Sequence, residues 1–156
     1  DVSNVDYLID DTSIDIRSVY QSEWISKLMG NYSSDISAAN LNMYYNKGII
    51  NTRGFHVDSY QSTIKGFVYA TDVESLSDGP YVYVAGSNRD GPYRKANRAM
   101  TKGSSFSTEA PFFDNERIIP VLAKSGSMII SDQSGIHRGM PQNETGFRRV
   151  FVMRWS

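Results

Sequence analysis

Only two histidines occur in the chain, His56 and His137, and each sits in a short run suited to metal chemistry. His56 belongs to Gly54-Phe55-His56-Val57-Asp58. In an extended strand, residues two apart point to the same face. His56 and Asp58 therefore present an imidazole and a carboxylate side by side, while Val57 turns away into packing. His137 lies in Gly135-Ile136-His137-Arg138-Gly139, just past a predicted strand. Folded beside the first pair, it completes two imidazoles and one carboxylate on one side of a metal, with other positions left open. Non-haem Fe(II) oxygenases use that arrangement. The chain has no cysteine, which excludes disulfides, Cys-ligated zinc and iron–sulfur clusters; any metal must be held by His, Asp, Glu and water. Arg148 follows His137 by 11 residues, on a predicted closing strand at 147–155. A guanidinium there can pair with a carboxylate through two parallel hydrogen bonds. Its neighbour Arg149 has the opposite orientation, so one of the two faces inward.

The elements that must carry these residues can be read from composition and periodicity. The chain has 156 residues, 16 basic and 17 acidic, with a formal charge of −1. The length predicts a single domain, 1–156. The charge gives no electrostatic case for nucleic acid or an anionic membrane as partner. No apolar run approaches the roughly 18 residues of a spanning helix, and no signal-peptide pattern opens the chain. The expectation is a cytoplasmic protein acting on a small-molecule substrate, with oligomeric state unspecified. The first residue is Asp1 rather than Met, which fits a processed or truncated piece of something longer. Ile and Val number 24 against 5 Leu, and Tyr and Phe add 17. β-Branched and aromatic residues suit a pleated, half-buried surface, so the chain should be mainly sheet.

Residues 1–48 read as an N-terminal part. An amphipathic helix over 14–29 carries Ile16, Val19, Tyr20, Trp24 and Leu28 on one face, with Thr12 or Ser13 as cap and Gly30 closing it in a left-handed conformation. It should cover one face of a sheet. A strand over 38–46 follows, with Asn42 and Tyr44 on its polar face. The core, 49–156, carries strand signals at 49–58, 64–73, 81–85, 117–123, 127–131 and 147–155, and a turn at 77–80. Residues 86–116 are rich in Gly, Ser, Asn, Arg and Lys without a clear period. They read as a long loop carrying a basic cluster of Arg89, Arg94, Lys95 and Arg98. Seven or so short strands behind one helix predict an antiparallel sandwich or jelly roll.

Three stretches in the first half of the core stand together: Phe55-His56-Val57-Asp58, the run from Lys65 to Val73, and the run from Asp78 to Arg89. With Gly126 to Asp132, His137-Arg138-Gly139 and Arg148 they resemble the phytanoyl-CoA dioxygenase-like family, in its order, over about residues 49–155. The resemblance implies a double-stranded β-helix, a jelly roll closed around one Fe(II). It also implies 2-oxoglutarate and O2 as co-substrates and hydroxylation of a small molecule. Carried over by position, His56, Asp58 and His137 would be the iron ligands, and Arg148 would hold the far carboxylate of 2-oxoglutarate. Related halogenases lack the carboxylate ligand, so Asp58 implies hydroxylation. Asn42 and Tyr44 are candidates for helping to hold 2-oxoglutarate, and Lys65 for a place behind the ligands or toward substrate. Two other classes use similar residues. A cupin-type metalloprotein would not need Arg148 in the cavity. A non-catalytic binding module would have the cavity filled by Tyr44 or Phe67 and its two histidines far apart.

Overall fold

A computed structural model of the chain describes residues 16–32, 38–101 and 108–155. The described residues form seven strands in two antiparallel sheets, with three short helices. The N-terminal helices are α1 (Ile16–Tyr20) and α2 (Glu23–Gly30), and the strands are β1 (Ala38–Lys47), β2 (Ile64–Tyr69), β3 (Tyr81–Val84), β4 (Ile118–Val121), β5 (Met128–Asp132), β6 (His137–Gly139) and β7 (Phe147–Trp155). The larger sheet has the order β1-β7-β2-β5 and the smaller β4-β3-β6. No helix among the described residues is long and apolar enough to cross a membrane.

Strand alternation divides the larger sheet into two chemically different faces. On one, Leu41, Ile64, Val68, Met153 and Trp155 pack against Tyr20, Ile25 and Met29 from the helices. On the other, Tyr69, Val150 and Val152 pack with Val73, Tyr44, Phe67 and Ile129, turned toward the smaller sheet. Phe67 stacks on Tyr81 of β3 at 4.7 Å between ring centres, and the Tyr81 amide donates to the Tyr69 hydroxyl at 3.0 Å. Being covered on both faces, β7 has Val150, Val152, Met153 and Trp155 all buried. Each large apolar side chain buried this way contributes about 1.5–3 kcal/mol.

Four expectations need correction. The N-terminal helix is broken: the Ser22 hydroxyl donates to the Val19 carbonyl at 2.6 Å, the local bond by which serine competes with helical pairing. The break inserts one residue into the period, so Tyr20, Ile25 and Met29 face the sheet while Trp24 and Leu28 are exposed. The helix closes on Asn31 in a right-handed conformation, and Gly30 takes no positive φ; Thr12 and Ser13 lie outside the described residues.

The run 49–58 contains no extended ladder. His56 instead makes isolated bridges to Glu109 on one side and His137 on the other. β2 ends at Tyr69, and the chain then crosses to the smaller sheet, where Val73 bridges Ala123. The segment 86–116 is not a continuous loop: it holds α3 (Pro92–Thr101) and a 3-10 turn, Asn115–Arg117. Pro92 occupies the first helical position, where its missing N–H costs nothing. Polar groups hold α3 in place. The Asn97 side chain, 1% exposed, exchanges two hydrogen bonds with the backbone of Phe112.

Candidate metal centre

His56 and His137 meet through their backbones. Each amide donates to the other's carbonyl, at 3.0 and 2.9 Å. Two residues on, the Asp58 amide donates to the Gln133 carbonyl at 3.0 Å, so the His-x-Asp run is fastened to the approach to β6 at both ends. Val57, between them, donates the other way, to Thr108, and its side chain is buried with Val84, Ala110 and Ile136. The i, i+2 geometry read from the sequence thus survives without a regular strand.

The imidazole ring centres are 4.5 Å apart. Asp58 Oδ1 lies 3.8 Å from His56 Nε2 and 3.7 Å from His137 Nε2. One ligand atom from each of the three residues lies within 4.8 Å of the others, close enough to hold a single metal ion. Both rings are oriented alike. His56 Nδ1 is 2.8 Å from the Gly54 carbonyl, and His137 Nδ1 is 2.9 Å from the Gly135 carbonyl. A carbonyl only accepts, so each Nδ1 carries a proton, and a neutral ring in this orientation offers its Nε2 lone pair toward Asp58. In the sequence the two sites share a repeated Gly-x-His, at Gly54 and Gly135. At Gly135 a side chain has no room: a Cβ would collide with the Tyr83 hydroxyl and ring.

Electrostatics suit a cation. Burial lowers the pKa of His56, more than its Gly54 hydrogen bond raises it, so the ring is neutral at neutral pH. For Asp58, burial alone would raise the pKa. The neighbouring His137 and the charge and hydrogen bond of Lys65 outweigh it, and the carboxyl is held well below its usual range. Lys65 Nζ lies 2.5 Å from Asp58 Oδ2.

The three residues open into a cavity of about 270 Å³ that also meets Tyr44, Lys65, Phe67, Tyr81, Gln133 and Arg148. Alternation puts one of the two neighbouring arginines inward, and it is Arg148. It donates to the Gly79 carbonyl and, at 3.0 Å, to Asn46 Oδ1, while its Nε is buried without a partner. Arg149 is exposed and lies over the rings of Tyr45 and Phe147. Tyr44 shares the cavity with Arg148, but Asn42 does not. Asn42 lines an adjoining hollow of about 380 Å³ with Tyr44, Asp58, Ser59, Thr63, Lys65, Val152 and Arg154.

Sequence reasoning missed Gln133, which is 1% exposed. Its side-chain nitrogen donates to the Tyr81 hydroxyl at 3.1 Å, and its Oε1 is buried without a partner at the cavity wall. No residue pattern marks it. The basic cluster is also resolved: Arg94 donates at 2.7 Å to the carbonyls of both Ser134 and Tyr60, tying α3 to the two segments that carry the site.

No protein-family model and no curated protein matches the chain. Solved structures do. The chain is similar to HygX from Streptomyces hygroscopicus with iron bound, at TM-score 0.65 and 14% identity, over 90% of this chain and 66% of HygX. HygX with nickel, 2-oxoglutarate and hygromycin B bound gives TM-score 0.60 and 14% identity, over 90% and 64%. ThoJ, a non-heme monooxygenase, gives 0.62 and 18%, over 89% and 54%. At these identities the likeness is one of fold, and the chain spans about two thirds of HygX and about half of ThoJ.

Proposed function

We propose that the chain is an Fe(II)- and 2-oxoglutarate-dependent oxygenase that hydroxylates a small molecule. Its two sheets then form a double-stranded β-helix of the phytanoyl-CoA dioxygenase-like type. The observation that carries this reading is the convergence of His56, Asp58 and His137 in the wall of a cavity that Arg148 also lines. Two imidazoles and one carboxylate on a single side fit Fe(II) and leave positions for other ligands. When bound, the iron supplies the redox chemistry with O2 that amino-acid side chains lack.

The chain's own residues have separate tasks in this reading. Gly54 and Gly135 fix the histidine tautomers, and Asp58 contributes the anionic ligand. Arg148 receives the far carboxylate of 2-oxoglutarate, and Tyr44 lines the same cavity. Asn42, in the adjoining hollow, is better placed for substrate than for 2-oxoglutarate. The inward Arg148 favours this function over a cupin-type protein without 2-oxoglutarate. The proximity of the two imidazoles argues against a binding module with separated histidines. HygX, with hygromycin B beside nickel and 2-oxoglutarate, supports a small-molecule substrate.

The test is anaerobic Fe(II) loading followed by O2 and 2-oxoglutarate, with succinate measured. The wild type should bind one Fe(II) and release succinate slowly without its substrate. His56→Ala and Asp58→Ala should lose both properties. Unchanged turnover in either variant rejects the function.

A further inference from the structure

Lys65 occupies a position that the ligand trio alone does not call for. It stands half-buried on the cavity face of β2, beside Ser131 on one neighbouring strand and Arg154 on the other. Two like charges directly opposite across strands repel, and Asp58 is the only acid paired with Lys65 among the described residues. The carboxylate is divided between two jobs. Its Oδ2 lies 2.5 Å from Lys65 Nζ, while its Oδ1 lies 3.8 and 3.7 Å from the two imidazole Nε2 atoms.

Charge by itself gives no reason for a lysine here, because an ammonium beside a metal ligand repels the dication. Geometry does give one. A carboxylate free to rotate can turn either oxygen, or both, toward a metal, and binding through both would occupy a position that co-substrate or O2 requires. We propose that Lys65 is a positioning residue: by holding Oδ2, it restricts Asp58 to a one-oxygen ligand through Oδ1 and so keeps the remaining positions of the metal open. This rests on the reading of His56, Asp58 and His137 as ligands.

The two effects of Lys65 have opposite signs, which makes the experiment decisive. Removing a repelling cation should tighten metal binding. Removing a hydrogen-bonding partner of a metal ligand typically weakens it by about 10–100-fold. Co(II) is titrated into the full, metal-free chain and followed by visible absorption, in the wild type, Lys65→Met and Lys65→Arg. The expected result is at least about tenfold weaker binding in Lys65→Met, with an altered absorption envelope. Lys65→Arg, which can still donate to Oδ2, should recover most of the affinity and the wild-type envelope. Equal or tighter binding in Lys65→Met with an unchanged envelope overturns the proposal.

A wild type that takes up no Co(II), or a His56→Ala variant that binds it equally well, overturns the ligand assignment itself, so the two failures are distinguishable. Should Lys65→Met fail to fold, the wild type suffices. Its Zn(II)-loaded minus metal-free infrared difference spectrum, with ¹³C-labelled aspartate, should show the wide separation of antisymmetric and symmetric stretches given by a one-oxygen carboxylate. The narrow separation of a chelating carboxylate overturns the proposal.

Discussion

Arg148 commits two of its donors to neutral acceptors, the Gly79 carbonyl and the Asn46 amide oxygen, and leaves Nε buried and unpaired. Burial lowers its pKa, yet a guanidinium stays charged at any physiological pH. A largely buried cation with no carboxylate partner costs several kcal/mol, a cost that an entering dicarboxylate would offset. In the Ni(II)-loaded protein, 2-oxoglutarate should therefore raise the melting temperature. Arg148→Lys keeps the charge but not the planar fork, and should need at least about tenfold more 2-oxoglutarate for the same shift, about 1.4 kcal/mol. Superimposable dose curves would move the clamp elsewhere. That Arg148 and Arg149 point to opposite faces was legible from strand alternation; which of them faces inward was not. Nor were the fixed partners of Arg148, because Gly79 and Asn46 lie 69 and 102 residues away and nothing local in the sequence pairs them with it.

Between β5 and β6 the chain makes a tight turn that delivers His137 to the site, and Asp132 holds it. One carboxylate oxygen accepts from the Ser134 amide at 2.9 Å; the other accepts from the Tyr32 hydroxyl at 3.0 Å and the Asn88 amide at 3.3 Å. Burial would raise the pKa of Asp132, but these donors outweigh it and the net shift is downward. The folded protein therefore binds fewer protons here than the unfolded chain does just below the ordinary carboxylate pKa of about 3.9. The stabilisation is present above that pH and is lost as pH falls through the lowered folded value. Asp132→Asn should be less stable by about 1 kcal/mol at pH 7, and its urea midpoint should fall less than that of the wild type between pH 5 and pH 3. Other lowered carboxylates add to the acid slope of both proteins, so the difference between them is the quantity to measure, and parallel slopes would reject the role. At this scale the sequence was legible where apolar periodicity exists and silent where polar pins replace it. Strands β2, β3, β4, β5 and β7 were legible, whereas 49–58 forms no ladder, β6 gave no strand signal, and α3 escaped because Asn97 and Arg94, rather than an apolar stripe, fix it.

Across the whole molecule, the larger sheet separates two environments, helices and apolar packing on one face and the candidate metal centre on the other. That a helix would cover the sheet could be read from the N-terminal pattern; which residues made the contact could not, because the break at Ser22 shifted the register. Gly66 is a point of close approach between helix and sheet. A Cβ there would lie 2.7 Å from two ring atoms of Trp155 and 2.9 Å from the Tyr20 ring, and these aromatic rings pack on each other at 5.5 Å. Tyr20 is also tied down by its hydroxyl, which donates to the Phe151 carbonyl at 3.0 Å. Neither ring can turn aside cheaply, so Gly66→Ala should cost about 1–3 kcal/mol in urea denaturation, the usual penalty of overpacking a core. Lys65 and Phe67, on either side of Gly66, point to the opposite face, into the cavity. If the sheet acts as a rigid partition, Co(II) affinity should remain within about twofold of wild type, less than 0.5 kcal/mol, while stability falls. Unchanged stability would mean that the helices do not press on the sheet at this point. A parallel loss of metal affinity would mean that their packing, and not the sheet alone, sets the spacing of the ligands on its far side.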